Sequence, residues 1–186
     1  CDTTGGEEFV VYLRDLADGS TSDAVIRGAG TGLEWQQDGH ALYYTTLDET
    51  KRPYRLWRQR LDAGASPELV FEEPDERFFL SVQKTRERRH LVISCHSKVT
   101  SEVRLLDLAE ATDPGSATRL VRARQQGVEY EVDVHGDRIF VLTNLDALDF
   151  RVMTAPLTAP GDWTPWIDHR PGVLLTGIEA FRDRLV

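Results

Sequence analysis

Apolar and polar residues alternate along most of the chain in short runs separated by turn residues. In "LEWQQDGHALYYTT", residues 33–46, two alternating arms flank Asp38 and Gly39. Alternation with period two puts every second side chain on one face, as a half-buried strand requires, and Asp-Gly between two such arms predicts a hairpin. Two further arms follow, so one unit reads as four strands at 32–36, 40–46, 54–61 and 68–71.

The unit recurs. The runs "VYLRDL", "YRLWRQRL", "SEVRLLDL" and "FRVMTAPL" end at Leu16, Leu61, Leu108 and Leu157, with spacings of 45, 47 and 49 (61 minus 16, 108 minus 61, 157 minus 108). A second register agrees: Leu42, Leu91, Ile139 and Leu185 follow one another at 49, 48 and 46. Four strands repeated at this period predict an all-β chain, a partial β-propeller of about three and a half four-stranded antiparallel blades. The expected boundaries are 1–31 (partial), 32–76, 77–126, 127–173 and 174–186 (partial). Because each strand reverses the last, loops 47–53, 72–76, 97–101, 125–127 and 144–149 should share one face. "SEVRLLDLAEATD" competes as a helix, but its apolar positions fit neither period and its three counterparts are rich in β-formers. It predicts a strand with one helical turn at 109–111.

Charge narrows the partners. A formal net charge of -9 argues against nucleic acid, whose binding rests on basic surface. No apolar run approaches the roughly 20 residues of a membrane helix, so no membrane partner is expected. Cys1 and Cys95 form neither a disulfide framework nor a zinc spacing, which fits a reducing, cytoplasmic location. The chain starts at Cys1 without Met and ends within the apolar "FRDRLV", so it reads as a piece of a longer protein.

Candidate chemistry is sparse. No Gly-x-Ser-x-Gly turn is present, and Cys95 and His96, as strand neighbours, point to opposite faces and cannot act as a pair. His40, His90, His96, His135 and His169 lie at no ligand spacing, so no metal and no cofactor are expected. "GAGTG", 28–32, is followed by an extended run rather than a helix and reads as a flexible connector. The acidic run 72–76 and the basic run 84–90 read as solvated charge, and Trp35, Trp57, Tyr43, Tyr44, Phe78 and Phe79 as filling between blades.

Taken in order, "LEWQQDGHALYYTTLDETKRPYRLWRQRL", "ELVFEEPDERFFLSVQKTRERRHLVIS", "TSEVRLLDLAEA" and "VRARQQGVEYEVDVHGDRIFVLTN" resemble the prolyl oligopeptidase family of serine peptidases, in its oligopeptidase B branch. The resemblance runs from about Phe9 to Leu157 and continues more weakly beyond. It implies the N-terminal propeller of a cytoplasmic hydrolase whose C-terminal α/β-hydrolase domain carries a Ser, Asp, His triad. No catalytic residue of that triad carries over to this chain. The family cleaves short peptides, this branch after Arg or Lys, and the propeller keeps folded proteins from the active site. By motif position Arg124, Glu129 and Tyr130 match an Arg-rich stretch ending in Glu-Tyr that contacts the catalytic domain as the enzyme opens and closes. Gln125 and Gln126 stand where that stretch is usually basic. The partners implied are the chain's own catalytic domain and short peptides. The alternative is a free-standing interaction propeller without catalysis; either way, a cut propeller leaves open strand edges through which the isolated piece is expected to self-associate.

Overall fold

In a computed structural model of the chain, the residues described are 1–2, 5–109, 118–181 and 184–186. Fourteen strands, β1 to β14, are formed and no helix occurs among these residues. A two-stranded sheet joins β1 (Phe9–Val11) to β2 (Ile26–Ala29). Three antiparallel sheets of four strands follow in chain order. The first holds β3 (Leu33–Trp35), β4 (Ala41–Leu47), β5 (Pro53–Arg60) and β6 (Glu68–Glu72). The second holds β7 (Phe79–Lys84), β8 (His90–His96), β9 (Ser101–Asp107) and β10 (Thr118–Arg122). The third holds β11 (Tyr130–His135), β12 (Arg138–Thr143), β13 (Arg151–Pro156) and β14 (Thr164–Ile167). Each is a meander with spatial order equal to sequence order, the blade of a partial β-propeller.

The segment that could have been a helix is strand β9, which pairs residue for residue with β8 from His90↔Asp107 to His96↔Ser101. Paired β-formers and burial on both faces outweigh the helix preference of Glu, Leu and Ala there. The helical turn expected at 109–111 extends beyond the described residues.

The chain divides into two compact units, Cys1–Gln83 and the described residues from 84 onward. In the first, Ile26 and Ala29 of β2 pack with Leu42 and Tyr44 of β4, and Phe9, Val11 and Trp57 close over them. In the second, Val92, Val103 and Leu105 pack face to face with Val132, Val134, Ile139 and Val141. Alternate residues of each strand therefore serve the space between sheets, and that burial is the main stabilising term. The aromatics divide: Tyr43, Tyr44 and Phe78 are buried, whereas Trp35 and Phe79 are exposed.

Hairpin turns repeat at atomic detail. Gln36 N–H donates to Ala41 O and Gly39 N–H to Gln36 O; 49 residues on, Thr85 N–H donates to His90 O and Arg88 N–H to Thr85 O. Arg88 (φ 61°) thus occupies the left-handed position of Gly39 (φ 77°). The "GAGTG" stretch is not a loose connector. Gly30 N–H donates to Thr45 O at 2.7 Å, and a Cβ on Gly30 or Gly32 would lie 2.9 Å from the Thr45 side chain. These glycines are needed for close approach to β4.

Candidate functional site

The residues singled out in the sequence, Arg124, Glu129 and Tyr130, lie on or beside the connector that leads from β10 to β11. Strand β10 ends at Arg122 and β11 begins at Tyr130, so seven residues, 123–129, cross from one sheet to the next.

Arg124 is seated on Glu102 of β9. The Arg124 backbone N–H donates to Glu102 Oε2 at 3.0 Å, and its Nε and Nη2 lie 3.4 and 3.2 Å from Oε2 and Oε1. The Arg124 side chain keeps 28% of its surface exposed and that of Glu102 12%. Burial pushes the Glu102 carboxyl up, but the hydrogen bonds from Arg124, with the charges of Arg124 and Arg104, outweigh it and hold the group below the usual range.

Tyr130 is buried, and its side chain ties the connector's two ends together. Its hydroxyl donates to Arg122 O at 2.5 Å and accepts the Val103 N–H at 2.8 Å. At this point the β9–β10 register shifts, between Leu120 and Arg122, so the hydroxyl supplies partners where ladder pairing is interrupted. Burial pushes the phenol up to about 12, keeping it protonated and able to donate. Trp163 meets the Tyr130 ring edge-on at 5.1 Å, with the Arg122 guanidinium 4.5 Å from the Trp163 ring.

Glu129 is half-buried. Its backbone N–H donates to Asn144 Oδ1 at 2.8 Å, its carbonyl accepts Thr143 Oγ1 at 2.8 Å, and its Oε1 lies 3.4 Å from Asn144 Nδ2. The three residues therefore share one connector but do not converge on a point. Arg124 is an ion-pair partner, Glu129 a backbone anchor and Tyr130 a buried clamp.

Sequence reasoning missed Glu102, Thr100 and Asn144, which hold this connector from neighbouring loops and strands. The repeat carried no signal for the Glu102 pair. Subtracting the repeat spacing of 47 leads to Arg55 (102 minus 47), whose Nε pairs with Glu72 Oε2 at 2.8 Å. The counterpart of Glu102 thus carries the opposite charge and pairs across to β6, whereas Glu102 pairs with the connector beyond β10.

The acidic run 72–76 is partly built in. Glu73 is buried, and the buried Arg52 donates from Nη1 to the carbonyls of Glu73, Asp75 and Phe78 at 3.3, 3.1 and 2.8 Å. Its Nε lies 2.8 Å from Asp48 Oδ2. Glu72, Glu73 and Glu76 line a recess of about 390 Å³ together with Tyr54. Cys95 is buried while His96 is exposed, as their opposite pointing required.

A clamped connector between four-stranded blades is architecture rather than chemistry: the geometry defines a propeller segment that presents loops. Comparison with known proteins sets the class. The family model for the prolyl oligopeptidase N-terminal beta-propeller domain matches residues 1–186, and the chain belongs to that family. It is 34% identical over 188 residues to Protease 2 of Moraxella lacunata, covering 98% of this chain and 26% of that protein. It is 35% identical over 185 residues to dipeptidyl aminopeptidase BI of Pseudoxanthomonas mexicana, covering 97% and 25%. Oligopeptidase B from Leishmania major superposes with a TM-score of 0.86 at 29% identity, over 95% of this chain and 25% of that one. The chain thus spans about a quarter of the length of these relatives and corresponds to part of their N-terminal propeller.

Proposed function

We propose that this chain is the substrate-excluding part of a serine-type oligopeptidase that hydrolyses short peptides after Arg or Lys. Its blades form a wall in front of a C-terminal hydrolase domain that supplies the nucleophile. Selection is by exclusion: a folded protein cannot pass, whereas a short flexible peptide can. The observation that carries this reading is identity of 34% and 35%, across almost the whole chain, to two proteins named as peptidases. In this reading Arg124, Glu129 and Tyr130 act at the domain boundary by fixing the β10–β11 connector. The Arg124 guanidinium meets the catalytic domain from its seat on Glu102. A cytoplasmic setting goes with it, in keeping with Cys1 and Cys95 forming no disulfide.

Taken alone, residues 1–186 self-associate in this account. Support comes from the outermost strand β14, whose Trp166 and Ile167 are exposed, and from the exposed Val173 and Leu174 beyond it.

The test is to express the full-length parent and map its cleavage of a peptide mixture by mass spectrometry. Cleavage after Arg and Lys, inhibited by a serine-directed organophosphonate, is the expected result. Cleavage without that residue preference, or insensitive to the inhibitor, refutes the reading.

A further inference from the structure

Across the four strands of the first sheet, one row of side chains is ionisable from edge to edge. Glu34 of β3 pairs with Tyr43 of β4, Tyr43 with Arg58 of β5, and Arg58 with Glu68 of β6, so the four stand on one face. Gln36 lies two residues beyond Glu34 and continues the ladder by donating its N–H to Ala41 O, which puts its side chain on that face as well. The repeat spacings of 49 and 47 lead from Tyr43 to Val92 (43 plus 49) and from Arg58 to Leu105 (58 plus 47). Val92 and Leu105 are also paired, and both are buried in the apolar core of the second unit. The first sheet therefore places a phenol and a guanidinium where the second places a valine and a leucine.

These polar groups are out of solvent. Tyr43 is fully buried, Arg58 is 8% exposed and Gln36 9%. Part of their bonding capacity is met within the protein, since Gln36 Nε2 donates to Asp38 Oδ2 at 2.9 Å and Arg58 Nη1 lies 3.4 Å from Glu68 Oε2. For three atoms it is not met. Gln36 Oε1, the Tyr43 hydroxyl and Arg58 Nε are shielded from solvent and have no hydrogen-bond partner among the described residues. Burial pushes the Tyr43 phenol up to about 12, so it stays protonated, and the charges of Arg58, Asp38 and Glu68 all act on it. Arg58 acts on Asp38 too, the carboxylate that holds the Gln36 amide, so the three side chains gather around one spot. Buried polar atoms cost free energy unless bonded, and three of them together on one sheet face call for a shared partner.

Their donor and acceptor pattern selects that partner. Arg58 Nε can only donate, Gln36 Oε1 can only accept, and the Tyr43 hydroxyl does either. An anion would meet the donors but oppose Gln36 Oε1 and the carboxylates of Asp38 and Glu68. A cation would oppose the guanidinium. A small neutral molecule that accepts two hydrogen bonds and donates one suits all three atoms, and a buried water typically makes about three such bonds. We infer that Gln36, Tyr43 and Arg58 form an internal water-binding site that ties the β3–β4 hairpin to β5. The water is a structural part of this sheet, standing where the second sheet uses apolar packing. The inference does not depend on the peptidase reading.

The test uses the full-length parent without substitution. Brief synchrotron irradiation generates hydroxyl radicals from water in contact with a side chain, so a buried tyrosine beside a bound water is oxidised faster than one sealed by protein. Tyr130 is the reference, buried like Tyr43 but with its hydroxyl paired to Arg122 O and the Val103 N–H. Peptide mass spectrometry should find Tyr43 oxidised about threefold or more faster than Tyr130. A crystal structure of the parent should place one water oxygen within hydrogen-bonding distance of Gln36 Oε1, Tyr43 Oη and Arg58 Nε. Equal, slow oxidation of both tyrosines overturns the inference, as does a crystal structure in which the three side chains bond directly to one another or to a neighbouring residue. An anomalous peak at the site after a bromide soak would assign it to an anion and overturn the inference as well.

Discussion

Glu102 grips Arg124 by both backbone and side chain, so one carboxylate fixes where the β10–β11 connector leaves its sheet. Replacing Glu102 by Gln removes the charge while keeping the shape, and should weaken the attachment by about 1–2 kcal/mol. The readout is exchange of the Arg124 amide hydrogen, expected to speed up about tenfold. The pH dependence has a definite sign. With its folded-state titration held below the ordinary value, Glu102 contributes stability at neutral pH that is lost as pH falls through the acidic range. The gap between native and Gln proteins should therefore narrow on acidification; a constant gap would exclude the ion pair as its source.

Tyr130→Phe deletes one oxygen and leaves two buried groups, the Val103 N–H and the Arg122 carbonyl, without that partner. A cost of about 1–3 kcal/mol follows from the desolvation penalty of such groups. The Val103 amide should become one of the most accelerated sites in a hydrogen-exchange map. An unchanged Val103 would mean that the hydroxyl is dispensable.

Arg88 should be improvable. It holds φ 61° where its counterpart in the preceding hairpin is Gly39. Arg88→Gly relieves a left-handed conformation worth about 1 kcal/mol to a residue with a Cβ, offset in part by the entropy glycine loses on folding. A modest rise in melting temperature is expected, and a fall would contradict the turn geometry.

The repeat, the strands and the antiparallel order were legible in the alternation and its period, because a face that must be buried writes itself into every second residue. Asp38 and Gly39 align with Glu87 and Arg88, and an Arg in a glycine conformation sends no compositional signal. The tightness at Gly30 and Gly32 was hidden because Thr45, which crowds them, lies on a different strand; Gly30→Ala should cost about 1–3 kcal/mol. Arg124, Glu129 and Tyr130 were legible as a motif. Glu102, 22 positions before Arg124, and Asn144, 15 after Glu129, were not, since pairing across the sheets is set by the fold.

His90 supplies a second pH signature. Burial pushes its titration down, only partly offset by Asp107, whose Oδ2 lies 3.8 Å from Nε2, and reinforced by Arg89. A folded-state value below the unfolded one means that stability is complete above about pH 6.5 and declines as pH falls through that value. His90→Phe should flatten the decline below about pH 6.5. If the decline persists unchanged, another group governs it.

The central claim, that these blades admit peptides by size, is tested most directly by a length series on the intact parent. Peptides sharing one Arg cleavage site but flanked by increasing numbers of residues are compared by kcat/KM. The account predicts efficient cleavage of short members and a steep fall once the peptide is long, with a folded protein carrying the same site left intact. Equal kcat/KM across the series, with cleavage of the folded protein, would contradict it.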